Sequence, residues 1–398
     1  MTMRIRAFLM LVAGLAVMGL SGCGHYTCSA GFGSSTCTSS GPPSLGGGGG
    51  NGASGTVYAY LLFDVGSSDG MAADTLSLSA NTWLEASSFM APPLPSLTYL
   101  DGGTAVVNLP NQKYLYIPFH NGTVYGYAID GTTGALTSVP SSPYAVAGGT
   151  SIAVNPAGTF LFVSDSAFGY ISVFSISATD GSLTAVGSPF PSGIAAAQLT
   201  TDGLGNYLYA TAGTGGAQVA AMSIGSSGAL TLVPGSPFSF TMSKVLGENS
   251  GKYLLGISGF DNHIHVFDIG SQGVITEATA AGSPFATASL PENMVVSPNG
   301  NFVYAFDGEE NPMEGYSLNV STGALTAVSG SPFTGINLQV GQFDQSGLYL
   351  FGPSEGSTSA EFLPYAADPS TGIISTTTYA PLGIPEGSFA ISDLNDAP

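Results

Sequence analysis

Past residue 6 the sequence contains no arginine, and only Lys113, Lys244 and Lys252 stand against 25 acidic residues. Nucleic acid is excluded as a partner on that ground, because phosphate contacts need cations. An anionic membrane surface would repel the chain; a cation, a cationic partner or a neutral sugar suits its charge better. Charged residues of both signs make up only 8% of the chain. Scarce charge does not mean disorder here, since 44% of residues are hydrophobic and 10% aromatic, enough apolar surface for a core. There is no P-loop and no dinucleotide fingerprint in a strand–helix context. Gly-x-Ser-x-Gly occurs at Gly66–Gly70 and Gly352–Gly356, but neither copy opens a helix, as a nucleophile elbow must. What is abundant is glycine, 57 residues, among many Val, Thr, Tyr and Phe. That mixture points to short strands joined by tight turns.

Residues 1–22 read as a lipoprotein signal peptide. Arg4 and Arg6 form a basic leader, Ala7 to Leu20 is an apolar run too short to span comfortably, and Leu20-Ser21-Gly22-Cys23 follows. This last phrase resembles the bacterial lipobox, whose cysteine becomes the lipidated first residue. Gly24 after Cys23, rather than Asp, resembles the pattern for outer-membrane sorting. The expected location is therefore the bacterial cell envelope, anchored by lipid to the outer membrane, with a net charge near −22 after processing. Residues 23–55 form a flexible Gly/Ser/Pro-rich tether. Cys28 and Cys37 are disulfide candidates within it.

From Thr56 onward a phrase recurs: Gly134-Ala135-Leu136-Thr137, Gly181-Ser182-Leu183-Thr184, Gly228-Ala229-Leu230-Thr231, and relatives at Gly273, Gly323 and Gly372, with Thr82-Trp83-Leu84 as a degenerate first copy. The aliphatic anchors Leu84, Leu136, Leu183, Leu230, Ile275, Leu325 and Ile374 lie 52, 47, 47, 45, 50 and 49 residues apart. Seven copies at such a period signal a repeat fold. Gly-Ser-Pro-Phe follows at Gly187, Gly235, Gly282 and Gly330, and turns such as Asn155-Pro156-Ala157-Gly158 precede aromatic strands.

Each unit reads as four strands. In the clearest one, strand A is Ser151–Asn155, B is Phe160–Ser164, C is Tyr170–Ile176 and D is Leu183–Val186, with Thr179-Asp180-Gly181 as the C–D turn. Strands this short bury a core only when stacked radially. The expected fold for residues 56–398 is an all-β seven-bladed β-propeller of four-stranded blades. Val57–Phe63 is B-like with no A strand before it, and Ser388–Ser392 is A-like with no B strand after it. The C-terminal strand is thus expected to join the N-terminal blade, closing the ring and removing its free edge.

The phrase Gly-Ala-Leu-Thr-x-Val-x-Gly-Ser-Pro-Phe at Gly323–Phe333, with Ile264-His265-Val266-Phe267-Asp268, resembles the seven-bladed lactonase family of 6-phosphogluconolactonases and related cycloisomerases. The resemblance spans about Thr56 to Asp393 and its motifs are structural, so it implies a fold more than an activity. It also implies that acidic lactones are held by arginines and a histidine. This chain departs from that pattern, having no arginine in the propeller, so no catalytic residue carries over.

With strand A innermost, the variable B–C loops gather on one face: Asp64–Asp74, Pro118–Thr123, Asp165–Gly169, Thr211–Gln218, Ser258–His263, Asp307–Glu314 and Gly352–Glu361. Function is expected there. The catalytic candidates are His120 and His263, each able to activate water, with Asp165 or Glu309 to orient it. The metal candidates are Asp261, His263 and His265, where two imidazoles two residues apart share one side of a strand, and the acidic loop Asp307, Glu309 and Glu310, with Glu314 beyond. No cofactor is expected beyond a divalent cation such as Ca²⁺. Three functions remain open: a binding or interaction module for a cationic or neutral ligand or an envelope protein, a lactonase acting on a neutral sugar lactone, and a purely structural envelope protein.

Overall fold

The computed structural model describes residues 56–64, 69–77, 82–87, 107–108, 113–119, 122–213, 216–307, 311–338, 340–355, 360–379 and 382–383. The chain is an all-β propeller with four-stranded blades. Numbered in chain order, sheet 1 has three strands, Thr56–Asp64, Asp69–Ser77 and Thr82–Ser87, and sheets 2 to 7 each follow a four-strand antiparallel path. In sheet 3 the strands are A (Ile152–Val154), B (Phe160–Asp165), C (Tyr170–Ile176) and D (Leu183–Ala185), within a residue or two of the expected bounds. Cys23, Cys28, Cys37 and the closing strand expected at Ser388–Ser392 lie outside the described residues.

The repeated phrases have physical reasons. The glycine that opens each Gly-Ala-Leu-Thr copy closes the C–D turn with a positive φ, 71° at Gly181 and 74° at Gly372, a conformation costly for any residue with a Cβ. An aromatic ring from strand B of the preceding sheet lies over it. A Cβ at Gly181 would sit 2.3 Å from the Tyr114 ring, and one at Gly372 would sit 2.3 Å from Phe302. Two residues along, a tyrosine donates to the same glycine's carbonyl: Tyr116 to Gly181 at 2.6 Å, Tyr209 to Gly273 at 3.3 Å and Tyr304 to Gly372 at 2.8 Å. Tyr60 of sheet 1 makes the same bond to Gly134 of sheet 2 at 2.8 Å. Sheet 1 therefore meets its neighbour as a blade does.

The Gly-Ser-Pro-Phe phrase interrupts strand D. In sheet 5 the chain resumes at Phe285–Ala286, pairing with the other end of strand C. The serine hydroxyl accepts the strand-C N–H left over at the break: Gly126 to Ser142 at 3.0 Å, Ala221 to Ser236 at 2.8 Å, Val266 to Ser283 at 2.8 Å and Gly315 to Ser331 at 3.0 Å. A buried N–H without a partner is costly, so the phrase repeats where the break repeats. The following Ser–Pro bonds, at Pro143, Pro237, Pro284 and Pro332, are cis.

Hydrophobic clusters lie between consecutive sheets. One joins Phe162 and Ile171 of sheet 3 to Leu208, Ala220 and Met222 of sheet 4. The inner strands of sheets 3 to 6 neighbour one another, placing strand A at the centre.

Two expected B–C loops are hairpin strands instead. Within Asp64–Asp74 the strands pair out to Asp64 opposite Asp69, with Phe63 opposite Gly70. Within Gly352–Glu361 the strands pair out to Glu355 opposite Ala360, with Gly352 opposite Leu363. The ladder needs only backbone partners, so Gly and Ser do not stop it where the facing strand continues.

Candidate functional site

The B–C face collects most of the predicted residues, and the structure gives each described one a local partner. Asp165 ends strand B of sheet 3. Its Oδ1 accepts from the backbone N–H groups of Ala167 at 3.0 Å and Phe168 at 3.2 Å, while Gly169 N donates to its carbonyl at 2.8 Å. Asp165 thus holds the B–C turn, although its Oδ2 is buried without a hydrogen bond. Asp307 occupies the same register position in sheet 6, five residues past Phe302, and accepts from the Asn311 amide. Glu314 is buried at the start of strand C, accepting from Ala288 N at 2.8 Å and from the Tyr316 hydroxyl at 2.6 Å. It fastens sheet 6 to the connection from sheet 5. His120, Glu309 and Glu310 lie outside the described residues.

His263 and His265 do share one side of strand C, with ring centroids 6.4 Å apart. Asp261 faces both, with Oδ2 3.3 Å from His265 Nε2 and Oδ1 3.9 Å from His263 Nδ1. The other ring nitrogen of His265 meets Glu277, 3.1 Å away on strand D. Sequence reasoning missed Glu277, which the C–D pairing brings beside His265 from 12 residues away. Both nitrogens of His265 are therefore engaged by carboxylates, on an outer strand of the blade. Among the described residues no three His, Cys, Asp or Glu side chains come together as a metal-binding group.

Sequence reasoning also passed over Lys244. It opens the inner strand of sheet 5 (Lys244–Gly247) opposite Ile257, the last residue of strand B, so it stands at the B–C end of that strand. Gln198 in sheet 4, opposite Thr211, and Asn293 in sheet 6, opposite Phe306, begin their inner strands at the same level. The next residues, Leu199, Val245 and Met294, are buried between sheets. Alternation then turns Gln198, Lys244 and Asn293 to the opposite face of their strands. Lys244 Nζ donates to Asn293 Oδ1 at 2.6 Å across the two blades. Burial pushes the Lys244 amine down to about 8. The only signal in the sequence was its rarity.

The opposite face carries buried polar groups in its A–B turns. Each A–B turn in sheets 3 to 7 is closed by a buried side chain, Asn155, Asp202, Glu248, Ser297 or Asp344, that accepts the first N–H of strand B; Asp202 takes that of Tyr207 at 2.7 Å. Burial raises the carboxyls of Asp202 and Asp344 above the ordinary range, against the lowering effect of these N–H bonds.

Large apolar side chains are exposed on the B–C turns. Phe168, in the turn of sheet 3, is 75% exposed and Phe260, in that of sheet 5, is 66% exposed. Tyr170 is half exposed at the start of the adjoining strand C.

Comparison with known proteins agrees with this architecture. The family described as "Lactonase, 7-bladed beta-propeller" matches residues 116–241. The chain is similar in fold to a candidate 6-phosphogluconolactonase from Bacteroides uniformis, with a TM-score of 0.64 and 17% identity over 86% of this chain and 100% of that one. A periplasmic gluconolactonase from Pseudomonas aeruginosa gives a TM-score of 0.58, also at 17% identity, over 86% of this chain and 100% of that one. A protein from Lactobacillus plantarum gives 0.60 at 15% identity, over 84% of this chain and 99% of that one. No curated protein matches the sequence. At these identities the likeness speaks for the fold. The resemblance to the lactonase propellers, first read from repeated phrases, is thus matched by sequence family and by structure.

Proposed function

We propose that the chain is a lipid-anchored, extracytoplasmic seven-bladed propeller that acts as a binding or interaction module, without phosphosugar lactonase activity. Cys23 carries the lipid, residues 23–55 hold the disc away from the outer membrane, and Ser388–Ser392 supplies the missing inner strand of sheet 1. The ligand is cationic or neutral, or is another envelope protein.

The observation that carries the reading is the division of labour on the B–C face. Asp165, Glu314 and His265 are engaged in bonds that hold turns and strands, whereas Phe168 and Phe260 stand exposed. Apolar groups presented beside polar turns are a feature of interaction surfaces. A strongly acidic body favours a cationic or neutral partner, and Ca²⁺ at the Asp307 loop is compatible with it.

The alternative is an active lactonase on a neutral sugar lactone, with His120 or His263 activating water. It draws on the similarity of fold to the P. aeruginosa gluconolactonase. A panel of neutral and phosphorylated lactones separates the two. The full chain is expected to leave them unhydrolysed above the background rate. Turnover abolished by His120→Ala or His263→Ala would replace the binding reading with the enzymatic one.

A further inference from the structure

We propose that the outer edge of sheet 1 is a docking site for an extended, basic polypeptide segment, which adds to the sheet as a further β-strand. The proposal rests on reading the chain as an interaction module, but it concerns the rim of one blade rather than the exposed aromatic turns of the B–C face.

Three observations carry it. The first is length. The outer strands of sheets 2 to 7 are each three residues long, as at Leu183–Ala185. In sheets 2 to 6 a Ser-Pro step follows, at Pro143, Pro189, Pro237, Pro284 and Pro332. Short edges and prolines blunt a sheet against strand addition. The outer strand of sheet 1, Thr82–Ser87, runs six residues without a proline. It ends the order of its sheet, so among the described residues no strand pairs with its far side. The second is composition. Trp83 and Leu84 favour extended backbone more than turn residues do, and lysine, a common edge guard, is absent from the strand. The third is charge in register. Glu85 stands directly opposite Asp74 of the neighbouring strand Asp69–Ser77, beside a register shift between Ala73 and Asp74. Like charges facing each other across a ladder destabilise it, and residues 56–87 contain no Lys, Arg or His to offset them.

These features select the partner's chemistry. A strand laid along Thr82–Ser87 places one residue opposite Glu85, at the end of the row that begins with Asp74. Lys or Arg there turns repulsion into attraction. The next row on the same face pairs Leu76 with Trp83, so the partner residue two positions along is apolar. The segment is therefore extended, with a basic residue between apolar ones at alternate positions. A second copy of this chain fits poorly. It brings the same formal charge of −20 and no cation in sheet 1, and like bodies repel where a basic segment is drawn in.

The test follows amide hydrogen exchange of Thr82–Ser87 in the full chain. The probes are a capped peptide Thr-Val-Thr-Lys-Thr-Val, its counterpart with glutamate for lysine, and acetyl-lysine amide, which has the charge without the strand. At about ten times its dissociation constant, the lysine peptide should slow exchange at alternate edge amides about tenfold. It should also shift the fluorescence of Trp83, the chain's only tryptophan. The other two probes should do neither, and Glu85→Lys should transfer the effect to the glutamate peptide. No slowing with the lysine peptide, or equal slowing with either control, would overturn the proposal. So would edge amides protected at every dilution without peptide, which would give the edge to the chain's own segment, or protection that rises with protein concentration, which would give it to a second copy. Lactone turnover would overturn the module reading and leave this exchange pattern intact, so the two failures are distinguishable.

Discussion

Replacing Lys244 by methionine should make the protein more stable. The ammonium of this residue sits at the B–C end of an inner strand with one neutral hydrogen-bond partner, Asn293. Its pKa falls from 10.5 to about 8 on burial, which corresponds to about 3 kcal/mol against the charged form at neutral pH. The side chain keeps part of its surface open to water, which reduces the expected gain to about 1–3 kcal/mol. The sign follows from proton counts. The folded pKa lies below the unfolded one, so between about 8 and 10.5 the unfolded chain binds more protons and stability rises with pH. Below that window the wild type carries the full penalty; above it the lysine is neutral in both states. Urea unfolding of wild type and Lys244→Met should therefore differ most at pH 7 and converge toward pH 10.5. Buried tyrosines such as Tyr127, pushed up to about 12 by burial, weaken both proteins alike at high pH, so the difference isolates Lys244. A variant less stable than wild type at pH 7, or a gap that does not close with pH, would refute the assignment of an unpaired, sunken cation.

The contacts between blades should be measurable. Tyr304→Phe removes the 2.8 Å bond to Gly372 O and should cost about 1–2 kcal/mol in urea unfolding. Gly372→Ala, with φ at 74° and Phe302 2.3 Å from the new Cβ, should cost about 3 kcal/mol or more. Asp202→Asn keeps the acceptor for Tyr207 N and removes a carboxyl whose folded pKa is raised by burial. A raised carboxyl favours the folded state only while protonated and loses that advantage as pH rises through the acid range. The variant should accordingly gain on wild type between pH 3 and pH 7, as read from urea midpoints. Cys23→Ala should release the protein from the membrane fraction, and continued attachment would refute the lipid anchor.

Much of the architecture was legible because each repeated phrase solves a local backbone problem. Gly181 and Gly372 close turns that need positive φ, and Ser283 and Ser331 accept an N–H that the break in strand D leaves over. Such requirements recur with every blade, so periodicity exposes them. The site was less legible, because its contacts cross between strands and blades. Glu277 reaches His265 only through the C–D pairing, and Lys244 meets Asn293 only because two inner strands stand side by side. Neither partner is marked by spacing. The acids of the A–B turns, Asp202, Glu248 and Asp344, escaped notice for another reason. They differ in type from Asn155 and Ser297 but do the same work, accepting the first N–H of strand B. Hydrophobic continuity likewise hid the lengths of two hairpins, since Gly352 and Pro353 pair as readily as their neighbours.

The ring itself is the premise on which the two faces depend. Hydrogen exchange on the full chain and on a chain lacking residues 388–398 tests it most directly. Closure predicts that the deletion strips protection from sheet 1, residues 56–87, while the inner strands of sheets 4 and 5, Gln198–Thr201 and Lys244–Gly247, keep most of theirs. Unchanged protection across sheet 1 would contradict a C-terminal strand in the first blade, and with it the closed seven-bladed disc.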